Sequence, residues 1–471
     1  MNEQRLALTR RAFLRESAFG LGTIALTSMG GSALARVARA GERPMPHLPP
    51  KVKRVIFLCM AGGPSQFESF DNKPELTRLE GQPMPDSFTK GQPIAQLQGE
   101  KLQCWGPQFP FKKWGESGQE ISTLFPNIGG IADKICIVRS MHTDQINHDP
   151  AHTVMNTGTS ISGRPSMGSW VVYGLGRESE DLPAFVVLTS KGGRNPQPIA
   201  QRQWSAGFLP SRYQGVQFFS QGDPVHYVRT PEDVSGDSQR RVVSTVRALD
   251  ALRAQQVASG ELETRIAQYE MAFRMQTSVP DLVDFSDEPQ HVLDMYGTTG
   301  NDGTFAANCL LARRLAERGV RFIHLYHRGW DHHNDLAKFM TVCSGLTDQP
   351  SAALVRDLEQ RGMLDETLII WSGEFGRTPM VQTNKGGPGR DHHMRAFSLW
   401  LAGGGIRGGL TYGATDELGY NAVENPVHVH DLHATMLHQL GLDHERLTFR
   451  YRGRDFRLTD VAGEVLEDIL V

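Results

Sequence analysis

Eleven of the seventeen histidines fall between His324 and His444, and most of them stand beside an acidic residue. HRGWDHHND carries His327, Asp331, His332, His333 and Asp335; SGEFGRTP carries Glu374 and Arg377; GRDHH carries Asp391, His392 and His393; HVHDLHATML carries His428, His430, Asp431 and His433. Imidazole nitrogen with carboxylate oxygen is the ligand set of zinc, manganese and related divalent ions. A lone histidine is more often a hydrogen-bonding group of a loop, but this clustering speaks for a metal. Neighbouring histidines rarely ligate one ion together, so about half of these residues would bind it and the rest would orient the ligands. Asp331, Glu374, Asp391 and Asp149 brought into one cleft would repel one another. Protons, Arg377 with Arg390, or a divalent cation must offset them, and neutral imidazoles favour the cation. An earlier stretch, MHTDQINHDPAHTVMNTG, carries His142, Asp144, His148, Asp149 and His152 and runs into a helix ending at Gly158. The N–H groups at the start of such a helix favour an anion. The turn AGGPSQFESFD adds Ser65, Gln66, Glu68 and Asp71, with glycines that permit close backbone approach.

These groups need a frame. VKRVIFLCM (Val52–Met60) is a continuous apolar run of strand length, as expected for a central strand covered on both faces. The same grammar recurs at Ile135–Val138, Ala184–Leu188, Val320–Tyr326, Thr367–Trp371 and Phe397–Leu401. Helical patterns lie between, notably Phe305–Arg318, Leu336–Arg361 and Val429–Leu440. The alternation predicts an α/β fold with a mostly parallel, doubly wound sheet and helices on both faces. Ligand sites of such sheets lie at the carboxyl ends of the strands. Val52–Met60, Val320–Tyr326, Thr367–Trp371 and Phe397–Leu401 are therefore expected to be neighbours whose carboxyl ends face one cleft. Residues 72–119 and 191–280 read as insertions, the second holding a long helix or helical pair over Ser238–Thr277.

The chain opens with TRRAFLR and a mildly apolar, uncharged stretch from Ala18 to Ala35, followed by A-x-A sites ending at Ala35 and Ala40. This is a twin-arginine signal segment over residues 1–40, too mild to span a membrane. A linker over 41–51 and one domain over 52–471 follow, so the mature chain is expected to lack a transmembrane segment and to work in the periplasm or outside the cell. Net charge is −3 with no Lys/Arg run after the signal, which speaks against nucleic acid as a partner. The five cysteines have no CxxC spacing and read as buried small hydrophobes.

GGPSQFESFDNKPE, VRSMHTDQINHDPAHTVMNTG, RPSMGSWVVYGLG, WDHHND, GEFGRTP, GRDHH and the segment from HVHDLHATML to Val461 together resemble the exported domain-of-unknown-function 1501 family. That family is similar to the sulfatases and the wider alkaline phosphatase superfamily. The resemblance implies a metal-bound α/β core that hydrolyses sulfate or phosphate esters. It implies Asp331 and His333 as ligands, His430 or His428 as another, and Glu374 in the place of an Asp. Phe375 replaces a ligating His, for which Asp391 or His392 would substitute. Met60, Ala61 and Gly62 stand where sulfatases have a metal-binding Asp pair. HDPAH followed by NTG matches the sulfatase nucleophile motif in its Pro and Thr-Gly, yet His148 occupies the nucleophile position and His152 that of an Arg. The resemblance leaves a metal-activated water as the preferred nucleophile, with Ser65 or His148 as alternatives.

Two functions fit. One is an exported hydrolase of sulfate or phosphate esters, of small molecules or glycans, using zinc, manganese or calcium, with His148 or His152 moving a proton and Arg377 balancing developing charge. The other is a non-catalytic protein that binds sulfated or phosphorylated glycans on the same scaffold. The number of ligand-type residues at strand ends favours the hydrolase.

Overall fold

Nine short segments build the central sheet of the computed structural model: β1 (Arg54–Ala61), β2 (Ile135–His142), β3 (Phe185–Thr189), β4 (Val216–Phe218), β5 (Phe322–Arg328), β6 (Thr367–Ser372), β7 (Phe397–Ala402), β8 (Leu410–Tyr412) and β9 (Val427–His428). The structure describes residues 46–193, 197–219, 260–384 and 386–471, with a few isolated positions between 224 and 245. The expected signal segment, the first five residues of the linker and most of Ser238–Gly260 lie outside the described residues.

The order across the sheet is β8–β2–β7–β6–β1–β5–β3–β4, and β9 also pairs with β2. The four segments expected to be neighbours are adjacent as β7–β6–β1–β5. β1 pairs parallel with β5 and β6, and β3 pairs parallel with β5 and β4. β7 runs antiparallel to both β6 and β2. Strand direction is not written in an apolar run, and here it corrects one expectation: β7 brings its amino end, not its carboxyl end, to the edge where β1, β5, β6 and β2 finish.

Every residue of β1 is buried, and alternate side chains enter two different cores. Ile56, Leu58 and Met60 pack with Leu310 of α3 (Phe305–Glu317) and Leu354 of α4 (Leu336–Gln360). Val55, Phe57 and Cys59 pack with Met155 of α1 (His148–Thr157), Val171 of α2 (Met167–Leu175) and Met436 of α5 (Val429–Gln439). Helices therefore cover both faces, as an unbroken apolar strand demands. The stretch from Asn72 to Gln119 contains two short helices, Pro74–Arg78 and Asp86–Thr89, and joins the hairpin Phe111–Trp114 with Gln119–Ser122. It has an apolar cluster of its own around Phe67, Leu76, Met84 and Met380. A helix over Gly260–Val283 follows the undescribed part of the second expected insertion. All five cysteines are buried and free. No helix among the described residues is long and apolar enough to cross a membrane.

Candidate functional site

Three parallel strands, β1, β5 and β6, each deliver one part of the site just past the carboxyl end. β1 ends at Ala61, so Gly62 and Gly63 come next; β5 ends at Arg328, three residues before Asp331; β6 ends at Ser372, two before Glu374. β2 leads through a loop to His148, the first residue of α1, and the reversed β7 is entered from His392 and His393. That last pair is held as a short antiparallel rung against Gly376–Arg377.

Glu374 is fully buried and its carboxylate accepts hydrogen bonds from the N–H of Gly62 and of Gly63, each at 3.1 Å. Gly62 has φ +124°, and a Cβ there would lie 2.5 Å from the backbone nitrogen of Asp331, so only glycine lets the β1 turn pass this close to the Asp331 segment. His148 bridges the two acids: its Nδ1 lies 2.6 Å from Glu374 Oε1 and its Nε2 lies 3.2 Å from Asp331 Oδ1. His152, one helical turn on and on the same face, has Nε2 3.4 Å from Glu374 Oε1 and is wholly buried.

Asp331 Oδ1 is the common point. His333 Nε2 lies 3.0 Å from it, His392 Nε2 3.4 Å, and Arg377 Nη2 donates to it at 2.7 Å. His333 Nε2 and His392 Nε2 are only 2.8 Å apart. One ligand atom each from His148, Asp331, His333 and His392 lies within 4.8 Å of the other three, and the same holds for a second group of His148, His152 and Glu374. The outer nitrogens decide which way the lone pairs point. His148 Nδ1 faces a carboxylate, His333 Nδ1 lies 2.6 Å from Gln382 Oε1, and His392 Nδ1 lies 3.0 Å from the carbonyl of Ile146. An acceptor opposite Nδ1 places the proton there and leaves Nε2 as a lone pair. Three imidazole lone pairs thus converge on one carboxylate oxygen, and a group that close-packed needs a proton or a cation among them.

The local fields agree. Burial opposes charging of His148, but its hydrogen bonds to Asp331 and Glu374 outweigh this and raise its pKa. Burial likewise opposes ionisation of Glu374, yet His152 and His148 and the Gly62 N–H bring its pKa down to about 2. Burial also opposes ionisation of Asp331, while the Arg377 guanidinium and the three histidines hold it far below the usual carboxylate range. Burial lowers His392 to about 4. Both acids are ionised at neutral pH.

The remaining expected residues belong to neither group of ligand atoms. Asp391 is buried, and its carboxylate accepts the N–H groups of Gln96, Leu97 and His392 at 2.6, 2.9 and 2.8 Å, which makes it a clamp on the backbone outside both groups. His430 lies 2.6 Å through Nε2 from the carbonyl of Gly158, at the far end of α1 and about 15 Å of helix from His148. Asp149 pairs with Arg202 on the surface. Ser65 precedes a short 3-10 turn, and its buried hydroxyl belongs to neither group. Arg377 is buried and donates to the carbonyls of Gly63, Arg390 and Gly62 as well as to Asp331, so it supports the acid rather than facing outward. Gln382, Gln96 and the Ile146 carbonyl carried no signal in the sequence, since isolated uncharged groups have no spacing to read.

No curated protein matches the chain. Among solved structures it is similar to a protein of the alkaline phosphatase superfamily from Vibrio parahaemolyticus, at 9% identity over 85% of this chain and 69% of that one, with a TM-score of 0.37. It is also similar to the PsFucS1 sulfatase from Pseudoalteromonas sp., at 14% identity over 88% and 70% of the two chains with a TM-score of 0.33. A third is the zinc-complexed C-terminal periplasmic domain of EcEptC from Escherichia coli, at 6% identity over 86% and 88% with a TM-score of 0.35. Residues 52–470 match the family described as Protein of unknown function (DUF1501), and the chain belongs to that family.

Proposed function

We propose that the chain is an exported, metal-dependent hydrolase of sulfate or phosphate esters, with His148, Asp331, His333 and His392 as the metal ligands. One observation carries this reading: three imidazoles turn their Nε2 atoms toward Asp331 Oδ1 while each Nδ1 is held by an acceptor. Ligating histidines are typically held in this way. Charge alone would not decide it, because Arg377 already supplies one positive charge to Asp331. Three nitrogens and an oxygen form a donor set suited to zinc, with manganese next and calcium least favoured, since calcium prefers oxygen. A divalent cation there would polarise an ester oxygen and lower the pKa of a water. The chain's own residues do the rest: Glu374 fixes the tautomer of His148, Gly62 and Gly63 hold Glu374, and Arg377 holds Asp331. His148, Asp331 and His333 keep 14, 16 and 14% of their side-chain surface exposed, which gives the cluster an opening to solvent.

The test is metal content of protein purified without chelator, together with turnover of an aryl sulfate and an aryl phosphate. About one divalent ion per chain and chelator-sensitive hydrolysis of either ester is the expected result; metal-free, inactive protein would refute the proposal. A second reading, a non-catalytic binder of sulfated or phosphorylated glycans, draws support from Arg377 being buried and internally bonded, and from His152 being sealed from solvent. Metal and ligand binding without turnover would favour it.

Metal affinity should fall with pH. The ligating lone pairs must be free of protons, and His148 has a raised pKa, so protons begin to compete above the ordinary histidine range. Zinc affinity measured against a chelator of known pH dependence should drop about tenfold per pH unit for each proton displaced as pH falls below that raised value. A flat profile from pH 8 to 5 would contradict the ligand assignment. Export should depend on Arg10 and Arg11, because the apolar stretch behind them is mild. Changing both to Lys should leave the full-length precursor in the cytoplasm; unchanged export would remove the twin-arginine assignment.

A further inference from the structure

Gln96 lies outside the sheet, in the expected insertion, yet the chain ties it to the cluster twice. Its backbone N–H and that of Leu97 donate to Asp391 Oδ2, while Asp391 Oδ1 takes the N–H of His392. Asp391 thus fixes this loop to the residue next to a proposed ligand. Leu97 is buried in the apolar cluster with Met84 and Met380, which pins the loop from the other side. The side chain then closes a ring. Gln382 Nε2 donates to Gln96 Oε1 at 3.0 Å, His333 Nδ1 donates to Gln382 Oε1 at 2.6 Å, and Gln96 Nε2 stands 3.2 Å from His333 Nε2. Because the oxygen of Gln96 already takes an N–H from Gln382, its nitrogen is the end that faces His333.

His333 Nε2 has a single lone pair. Without a cation, the Gln96 amide can donate to it. A cation held by His333 takes that same lone pair, and the amide N–H loses its acceptor without losing its support, because Gln382 still holds the oxygen and Asp391 the backbone. A fixed donor beside a cation is suited to bind an oxygen of whatever anion the cation attracts. We propose that Gln96 is a substrate-contacting residue whose N–H donates to a non-bridging oxygen of the sulfate or phosphate group. This rests on the ester-hydrolase reading above. Being neutral, Gln96 supplies direction rather than charge, and of its two amide N–H groups the one that faces His333 is released when the cation is bound.

The experiment uses the full chain loaded with zinc, titrated calorimetrically with inorganic phosphate and with inorganic sulfate. Zinc affinity is measured in parallel by chelator competition. Gln96 is exposed, so Q96A should fold. The expected result is wild-type binding of at least one anion, a ten- to hundredfold loss of that binding in Q96A, and zinc affinity unchanged or slightly higher, since a competitor for His333 has been removed. Unchanged anion binding in Q96A would overturn the assignment of Gln96 and leave the metal site standing. Loss of zinc in Q96A would overturn it too, by making Gln96 a support of the ligands. Failure of the zinc-loaded wild type to bind either anion would instead overturn the ester reading, and this inference with it.

Discussion

Asp331→Asn should empty the metal site and also weaken the metal-free fold, and the two effects can be separated. Asp331 Oδ1 is the point on which His148, His333 and His392 converge, so an amide there removes the only charged ligand. The same oxygen pairs with Arg377 Nη2 at 2.7 Å, and that guanidinium is buried. Removing one partner of such a pair leaves a charge uncompensated and costs about 3–5 kcal/mol. The lower end applies, about 3 kcal/mol, because 16% of the Asp331 side chain is exposed and water can relax around it. Denaturant unfolding of chelator-treated protein should register this loss, while elemental analysis registers the loss of zinc. His333→Ala should abolish metal binding with less effect on the metal-free protein, because the pair between Asp331 and Arg377 stays intact. In wild type, chelation should lower the melting temperature, since a ligand bound only by the native state contributes about 4 kcal/mol at a thousandfold excess over its dissociation constant. Equal zinc content in Asp331→Asn and wild type would refute the ligand set.

Glu68→Gln should be comparably damaging although Glu68 touches no ligand. Glu68 and Arg390 have no exposed side-chain surface and pair at 2.8 Å. Arg390 also donates to the carbonyls of Trp105, Thr378 and Gly106, and its ring neighbours are Phe67 and Trp105. The neutral amide leaves a guanidinium buried among carbonyls and rings, at about 3–5 kcal/mol. Because Arg390 directly precedes Asp391 and His392, the same change should loosen the ligand loop and weaken zinc binding about tenfold, as loss of outer supports commonly does. Stability and metal affinity both equal to wild type would rule out this role.

The apolar runs announced β1, β5, β6 and β7 as neighbours because a strand buried on both faces has no polar alternation to obscure it. The rule that sites gather at carboxyl ends then pointed to the loops after β5 and β6, within which the family resemblance singled out Asp331, His333 and Glu374, and the structure brings these close together. Other parts were harder to read for physical reasons. Asp391 and His392 are adjacent in extended backbone, so their side chains point to opposite sides and only one can face the cluster; composition does not say which. The position of His148 in the motif gave no sign of the two acids, Glu374 and Asp331, that flank it in space. His430 carries the same DxH-type vocabulary as the cluster, but the length of α1 holds it away. The direction of β7, and the roles of Gln96 and Gln382, depend on tertiary packing that no local pattern records.

The parts of the cluster are far apart along the chain. His148 and Glu374 are 226 residues apart, Gly62 and Glu374 312, while His333 and His392 are separated by 59. A nascent chain still missing β6 holds two of the imidazoles, His148 and His333, and lacks His392 and Glu374, the acid that fixes the His148 tautomer. Closing loops of this length costs entropy that is repaid only when the strands between them pair. The proposed cation would need the remote His148 as well as the stretch from Asp331 to His392, so its full ligand set does not come from a few nearby residues, as it does in small zinc-finger domains. A cation bound as proposed would be captured tightly only after assembly of β1, β5, β6 and β7, with folding first and loading second. The zinc-binding rate of refolding protein should accordingly lag behind, or at most coincide with, the recovery of sheet structure.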